Sequence, residues 1–109
     1  MFFLMLCHHA TGPDIPARRD ALRPAHRDWV ARGGDGLAVV LTGSALWDAD
    51  GRGIGNFGVL QAASEAEARA FAEGDPFHTG GVVERIELIR LADTFQAGRI
   101  DPLTRPNGG

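Results

Sequence analysis

Two residues with acid–base side chains, His26 and Asp75, are the main candidates for chemistry in this sequence. His26 lies among apolar residues at helical spacing, where few acceptors are open because the helix carbonyls are already bonded. Asp75 precedes Pro76, which biases it toward an extended backbone and holds its carboxylate on a stiff corner. A carboxylate at one ring nitrogen would fix the imidazole tautomer and leave the other nitrogen for proton transfer. The pair therefore predicts a cofactor-independent acid–base site.

Contact between these two residues depends on how two predicted helices pack. The helix that carries His26 has about 18 residues and is about 27 Å long, whereas the helix before Asp75 has about 10 residues and is about 15 Å long. In antiparallel packing the shorter helix ends beside the middle of the longer one, where His26 lies. The alternative is a core histidine whose ring nitrogens bond to the backbone.

Several further residues are candidates for binding. Substrate contacts are predicted for Arg23, Ser44, Phe77 and His78, with a turn position as the alternative for Ser44. We predict no metal; the alternative is a site that combines Asp75 with His78 and one histidine of the pair His8-His9. Adjacent strand residues point to opposite faces, so only one member of that pair could take part.

Three other patterns lack the partners that their chemistry requires. Residues 48–51 (DADG) begin like a calcium loop, but the distal glutamate of such a loop is missing. The glycines within 51–55 precede a strand and not a helix, which excludes a phosphate-binding loop. Cys7 lies in an apolar run without a base beside it, and we predict that it is a small buried hydrophobe.

The composition is typical of a one-domain globular protein, since the 109 residues are 44% hydrophobic and 23% charged with a net charge of −3. All eleven basic residues are arginines, and no basic face with interleaved aromatics points to nucleic acid. The arginines within 18–32 are interpreted as a solvated helix face, with anion binding as the alternative. The apolar run 2–7 is too short to span a membrane and lacks the flanks of a signal peptide. We therefore expect a cytoplasmic protein.

Residue spacing predicts the order strand, helix, strand, strand, helix, strand. The predicted strands are residues 1–9, 37–42, 57–62 and 82–91, and the predicted helices are 14–32 and 64–74. Residues 43–55 are predicted to connect two strands and to turn at an Asp-Gly pair. The expected helix signals are N-caps at Asp14 and Ser64, a kink at Pro24 and a left-handed C-cap at Gly74.

This order predicts an α+β fold, the ferredoxin-like βαββαβ arrangement, in which two helices cover one face of a four-stranded antiparallel sheet. The first strand is apolar on both faces, with one row at residues 2, 4 and 6 and the other at 3, 5 and 7. Two helices shield only one of these rows. We therefore expect a homodimer that buries the other face of the sheet against a second copy.

Two segments carry a resemblance to a known family: Arg23-Pro24-Ala25-His26 on the first helix, and Ser64-Glu65-Ala66-Glu67-Ala68-Arg69 leading into Gly74-Asp75-Pro76-Phe77. In this order and spacing they resemble the YciI-like (YCII-related) proteins, over a domain at residues 1–92. An irregular tail follows at 93–109, and we expect its end to be disordered. The resemblance implies a dimeric α+β barrel in which His26 and Asp75 form a histidine–aspartate centre.

The resemblance also implies an activity. It points to acid–base chemistry of the lyase, dehalogenase or isomerase type on a small ring or lactone-like metabolite. The chain departs from the family pattern at Ser44, where a proline commonly follows the glycine, and in its longer tail. The alternative function is a non-catalytic module that uses the same dimer pocket to bind a small ligand or a partner.

Overall fold

The computed structural model describes residues 1–100. Its elements in chain order are β1 (Phe2–His9), α1 (Ile15–Ala31), α2 (Gly33–Gly36), β2 (Val39–Trp47), β3 (Gly53–Gln61), α3 (Glu65–Gly74), α4 (Pro76–Thr79), β4 (Val83–Arg90) and a 3-10 turn (Ala97–Arg99). The four strands form one antiparallel sheet in the order β2-β3-β1-β4. This is the strand order of the split βαβ arrangement, so the predicted ferredoxin-like α+β fold is confirmed. The predicted disorder falls on residues 101–109, outside the described part of the chain.

The hydrophobic core lies between one face of the sheet and the helices. Phe3, Met5 and Cys7 of β1 are buried there, in one cluster with Ile15 of α1 and Phe71 of α3. The alternate residues of β1, at 2, 4 and 6, are half-buried on the opposite face. As predicted, β1 is therefore apolar on both faces, and the helices cover only one of them.

The hairpin between β2 and β3 is tighter than predicted, because strand pairing continues into residues that alternation alone assigns to the connection. The observed connection is 48–52, so the predicted connection at 43–55 and the turn position for Ser44 are wrong. One oxygen of Asp48 closes this turn by accepting hydrogen bonds of 2.9 Å from the backbone N–H groups of Asp50 and Arg52. Small residues lower the strand propensity here, and cross-strand pairing outweighs that deficit.

α3 begins and ends where the sequence predicts, but its last residue has an unexpected role. Ser64 Oγ accepts a hydrogen bond of 3.1 Å from the backbone N–H of Glu67, as an N-cap does. Gly74 does not have a positive φ, so the predicted left-handed cap is wrong. A Cβ at Gly74 would lie 2.7 Å from the ring of Trp29. The close approach of α1, and not backbone conformation, accounts for this glycine.

α1 continues through Pro24 as one helix of 17 residues. Asp14 precedes it with helical φ and ψ, and its carboxylate pairs with Arg18 at 2.6 Å. The predicted side-chain cap by Asp14 is therefore wrong, because a capping aspartate needs an extended backbone. Neither α1 nor any other helix within residues 1–100 is long and apolar enough to cross a membrane.

Candidate functional site

His26 and Asp75 are in hydrogen-bonding contact. The ring atom Nδ1 of His26 lies 2.9 Å from Oδ1 and 2.8 Å from Oδ2 of Asp75. Because a carboxylate only accepts hydrogen bonds, Nδ1 carries the proton and donates it. In the neutral ring, the second nitrogen, Nε2, then has the lone pair. Asp75 is 6% exposed and the His26 side chain is 20% exposed, so the carboxylate is shielded while the ring stays open on one side.

The turn between α3 and α4 positions both Asp75 and the His26 ring. Asp75 has φ −60° and ψ 131°, the extended backbone that Pro76 predicts. Its Oδ1 also accepts a hydrogen bond of 2.8 Å from the backbone N–H of Phe77, which makes Asp75 the N-cap of α4. The Phe77 ring lies parallel to the His26 ring, with centroids 4.0 Å apart and planes inclined by 5°. One capped turn thus holds the carboxylate and supports the imidazole.

The His26 ring lines a cavity of about 630 Å³ between α1 and the helix-covered face of the sheet. Small-molecule sites in proteins occupy roughly 300–1,000 Å³, so the size fits a small ligand. The polar residues that line it include His9, Arg19, Arg23, His26, Arg27, Ser44, Asn56 and Asp75. Since Asp75 is the one carboxylate among the lining residues and is bonded to His26, the cavity favours a negatively charged ligand.

Three of these arginines, Arg19, Arg23 and Arg27, follow one another at intervals of four residues on α1. Residues four apart share one helix face, which brings all three to the cavity. Arg18 and Arg32 do not line the cavity and form exposed ion pairs with aspartates, as the predicted solvated face requires. Arg23 also pairs with the exposed Asp20, at 3.0 Å. The four-residue interval is the sequence signal that separates the two sets, and only Arg23 is among the predicted contacts.

The sheet contributes His9 and Asn56 to the opposite wall, and the sequence predicts neither as a substrate contact. Both ring nitrogens of His9 and the Oδ1 of Asn56 are buried without a hydrogen-bond partner in residues 1–100. Burial, and then the charge of Arg19, lowers the pKa of His9 from its ordinary value of 6.5, while the amide of Asn56 acts in the opposite direction. His9 is therefore neutral at neutral pH. The period of two along β1, which places His9 in the row of Cys7, is the signal that could have found it.

Of the four predicted substrate contacts, Arg23 and Ser44 line the cavity, whereas Phe77 and His78 do not. Ser44 is exposed on β2, and its hydroxyl donates a hydrogen bond of 2.9 Å to the next backbone carbonyl. Phe77 lies behind the His26 ring and supports it. The Nδ1 of His78 donates to a backbone carbonyl of α3 at 2.9 Å, on the outer side of the corner.

In residues 1–100, neither Cys7 nor His8 forms a hydrogen bond with the His26–Asp75 pair, although burial and, to a lesser extent, the charge of Asp75 both raise the pKa of the Cys7 thiol. Cys7 is 5% exposed, and burial raises the pKa of its thiol to about 12, so it is the small buried hydrophobe that the sequence predicts. The Nε2 of His8 lies 3.3 Å from Oε1 of Glu87 on β4. In the described residues, 1–100, no group of three or more His, Cys, Asp or Glu side chains is placed to hold a metal ion. The alternative metal site is therefore not assembled in this part of the chain.

The fold and the site together define a class: a ferredoxin-like α+β domain with a histidine–aspartate pair beside a cationic cavity. The model of the YCII-related domain family matches residues 1–92, and the chain belongs to that family. Comparison with curated proteins gives no significant match.

A similar solved structure is that of 5-chloro-2-hydroxyhydroquinone dehydrochlorinase (TftG) from Burkholderia phenoliruptrix, in complex with 2,5-dihydroxybenzoquinone. The TM-score is 0.70 at 23% sequence identity, and the match covers 84% of this chain and 94% of the other. At this level of identity the likeness establishes the fold that the two proteins share.

Proposed function

We propose that the protein is a cofactor-independent acid–base enzyme for a small ring compound, in which His26 transfers the proton and Asp75 orients His26. The observation that carries this proposal is the contact of His26 Nδ1 with both oxygens of Asp75, at 2.9 and 2.8 Å. In the neutral ring this contact selects the tautomer with the lone pair on Nε2, and the ring lines the cavity. An oriented imidazole with one free nitrogen is the arrangement that general acid–base catalysis requires.

The reaction type that fits best is elimination of a hydrogen halide, and isomerisation of a ring or lactone is the related second type. In the elimination, Nε2 takes a proton from the substrate, the carbon–halogen bond breaks, and the halide leaves with its electron pair while a double bond forms. The protonated imidazole then returns its proton to solvent. No electrons are gained or lost, so no redox partner is needed. The similar structure is named as a dehydrochlorinase, which supports this reaction type.

The test measures turnover on compounds that separate the two reaction types. Ion chromatography follows chloride release from 5-chloro-2-hydroxyhydroquinone, and NMR in deuterated water follows proton exchange on small unsaturated lactones. We expect His26→Gln to lower the rate by about 10²-fold or more, the usual contribution of a general base. We expect Asp75→Asn to lower it less, because the proton-accepting nitrogen is still present.

Asp28→Asn is the matched control, since Asp28 is an exposed carboxylate on α1 whose partner, Arg32, lies outside the cavity. Its rate should equal that of the wild type. A wild-type rate for His26→Gln would contradict the assignment of the base. Binding of these compounds without turnover of any of them would instead support the non-catalytic ligand-binding module.

We also infer that the protein works as a homodimer through the uncovered face of the sheet. On that face Leu4 and Leu6 pair with Val59 and Phe57, and Ile89 opposite Leu4 is 48% exposed. A second copy would remove this apolar patch from water and bury on the order of 1,600 Å² in total. Light scattering should give twice the chain mass of 11.6 kDa. Leu4→Glu should give monomers, and a monomeric wild type would contradict the inference.

A further inference from the structure

Buried polar atoms without a partner are concentrated on one side of the cavity. Within residues 1–100, five buried side-chain atoms lack a hydrogen bond. One of them, Nε2 of His8, still lies 3.3 Å from Oε1 of Glu87. The other four belong to His9, Arg19 and Asn56. All three residues line the cavity that also contains the His26 ring. Since buried polar groups in proteins are bonded to protein or ordered water in roughly nine of ten cases, this concentration indicates groups whose partner is a molecule in the cavity, either water or a ligand that displaces it.

The three side chains meet from two sides of the cavity. Asn56 on β3 is paired with Cys7 on β1, in the same row as His9. The guanidinium group of Arg19 reaches down from α1 to Gly53 at the start of β3, where a Cβ would collide with it. Burial has the largest effect on the pKa of His9, but the charge of Arg19 and the amide of Asn56 both act on it as well. Arg19, His9 and Asn56 therefore form one cluster.

The donors and acceptors in this cluster define what it can bind. The Nε–H of Arg19 donates, the Oδ1 of Asn56 accepts, and a neutral His9 offers one donor and one acceptor. A ligand that satisfies the cluster must present an acceptor to Arg19 and a hydrogen-bond donor to Asn56. The surplus of arginines over carboxylates in the cavity favours a negative charge on that acceptor.

We propose that this cluster is a recognition subsite for a small ring compound that carries one oxyanion and, separately, one hydroxyl group. The oxyanion binds to Arg19, the hydroxyl donates to Asn56, and His9 bonds to either oxygen. Arg19 and Asn56 are then the specificity-determining residues. The proposal rests on the proposed function in that both use one cavity, but it concerns binding and does not require turnover.

The first test uses two matched pairs of unreactive probes, measured by calorimetric titration with the full chain at slightly alkaline pH. The first pair is 3-hydroxybenzoate and benzoate, which present a carboxylate with and without a hydroxyl group. The second pair is 4-nitrocatechol and 4-nitrophenol, in which the oxyanion is a phenolate oxygen attached directly to the ring. In at least one pair the member with the hydroxyl should bind about tenfold more tightly, as one additional hydrogen bond allows. The pair that shows the larger preference identifies the source of the oxyanion.

Substitutions then assign the preference to residues. Asn56→Leu should remove the difference within the preferred pair, because the acceptor for the hydroxyl is lost. Arg19→Gln should weaken both members of that pair by about tenfold and leave their ratio unchanged. Gln61→Leu, an exposed amide on the same strand, and Arg69→Gln, an exposed arginine on α3, are the matched controls and should bind as the wild type does.

The outcomes separate the subsite from the proposed function. Equal binding within both pairs by the wild type, or no binding at millimolar concentration, would overturn the subsite whatever the variants do. If Asn56→Leu keeps the preference, the assignment of the hydroxyl is wrong. Selective binding that survives in His26→Gln supports the subsite even if no turnover is ever found. Turnover that needs His26 but shows no probe selectivity supports the function and overturns the subsite.

Discussion

The two roles of Asp75 predict different effects for its replacement by alanine and by asparagine. Asp75→Ala removes the N-cap of α4, at a cost of about 1 kcal/mol, and leaves the Nδ1–H of His26 without an acceptor, at about 1–3 kcal/mol. We therefore expect the free energy of unfolding to fall by about 3 kcal/mol. Asparagine still offers an oxygen to both N–H groups, so Asp75→Asn should lose about 1 kcal/mol or less while its turnover falls.

Urea titration followed by circular dichroism measures this difference, and thermal unfolding should show it as a drop of roughly 12 °C for Asp75→Ala. Asp28→Ala is the matched control, because its exposed pair with Arg32 contributes under about 1 kcal/mol. Equal destabilisation by alanine and asparagine would refute the reasoning, since it would assign the effect to charge and not to the two hydrogen bonds. A stable Asp75→Ala variant would refute it as well.

Three further predictions follow from packing and burial. Gly74→Ala should destabilise the protein by about 1–3 kcal/mol in urea titration, because its Cβ meets the Trp29 ring at 2.7 Å; stabilisation would show that the helix preference for alanine dominates. The thiol of Cys7, with its pKa raised to about 12 by burial, should react with a thiol reagent at mildly alkaline pH only after unfolding, and fast labelling of the folded protein would contradict its burial. Burial and the charge of Arg19 lower the pKa of His9 below 6.5, so the unfolded chain takes up a proton that the folded chain does not. The free energy of unfolding should therefore decrease as pH falls below 6.5, by at most about 1.4 kcal/mol per pH unit from this group, and less steeply in His9→Gln.

The order of elements and the acid–base pair were predictable because local signals determine them. Helical spacing places His26 on the packed side of α1, and Ser64 fixes the start of α3 through its bond to Glu67. Pro76 then forces Asp75 into the extended backbone that ends the helix. With both helices antiparallel on one face of the sheet, their lengths allow the end of α3 to lie beside the middle of α1.

The features that could not be predicted depend on residues far apart in sequence. The role of Gly74 is set by Trp29, whose Nε1 donates to the backbone carbonyl of Phe71 at 3.0 Å and draws α1 close to α3. The place of Asn56 in the cavity is set by its pairing across the sheet, which no local pattern encodes.

Glycines in and beside the β2–β3 hairpin account both for the incorrectly predicted strand boundaries and for part of the cavity wall. Gly43, Gly55 and Gly58 all line the cavity. A Cβ would lie 2.7 Å from the carbonyl oxygen of Phe57 at Gly43, and 3.2 Å from the terminal methyl of Met5 at Gly58. Glycine weakens a strand, which is why the apolar alternation fades here. Because glycine has no side chain, it also leaves open space in the cavity beside the imidazole. Local rules tend to fail where a site requires it, and here the weak strand pattern coincides with the wall of the cavity and not with a loop.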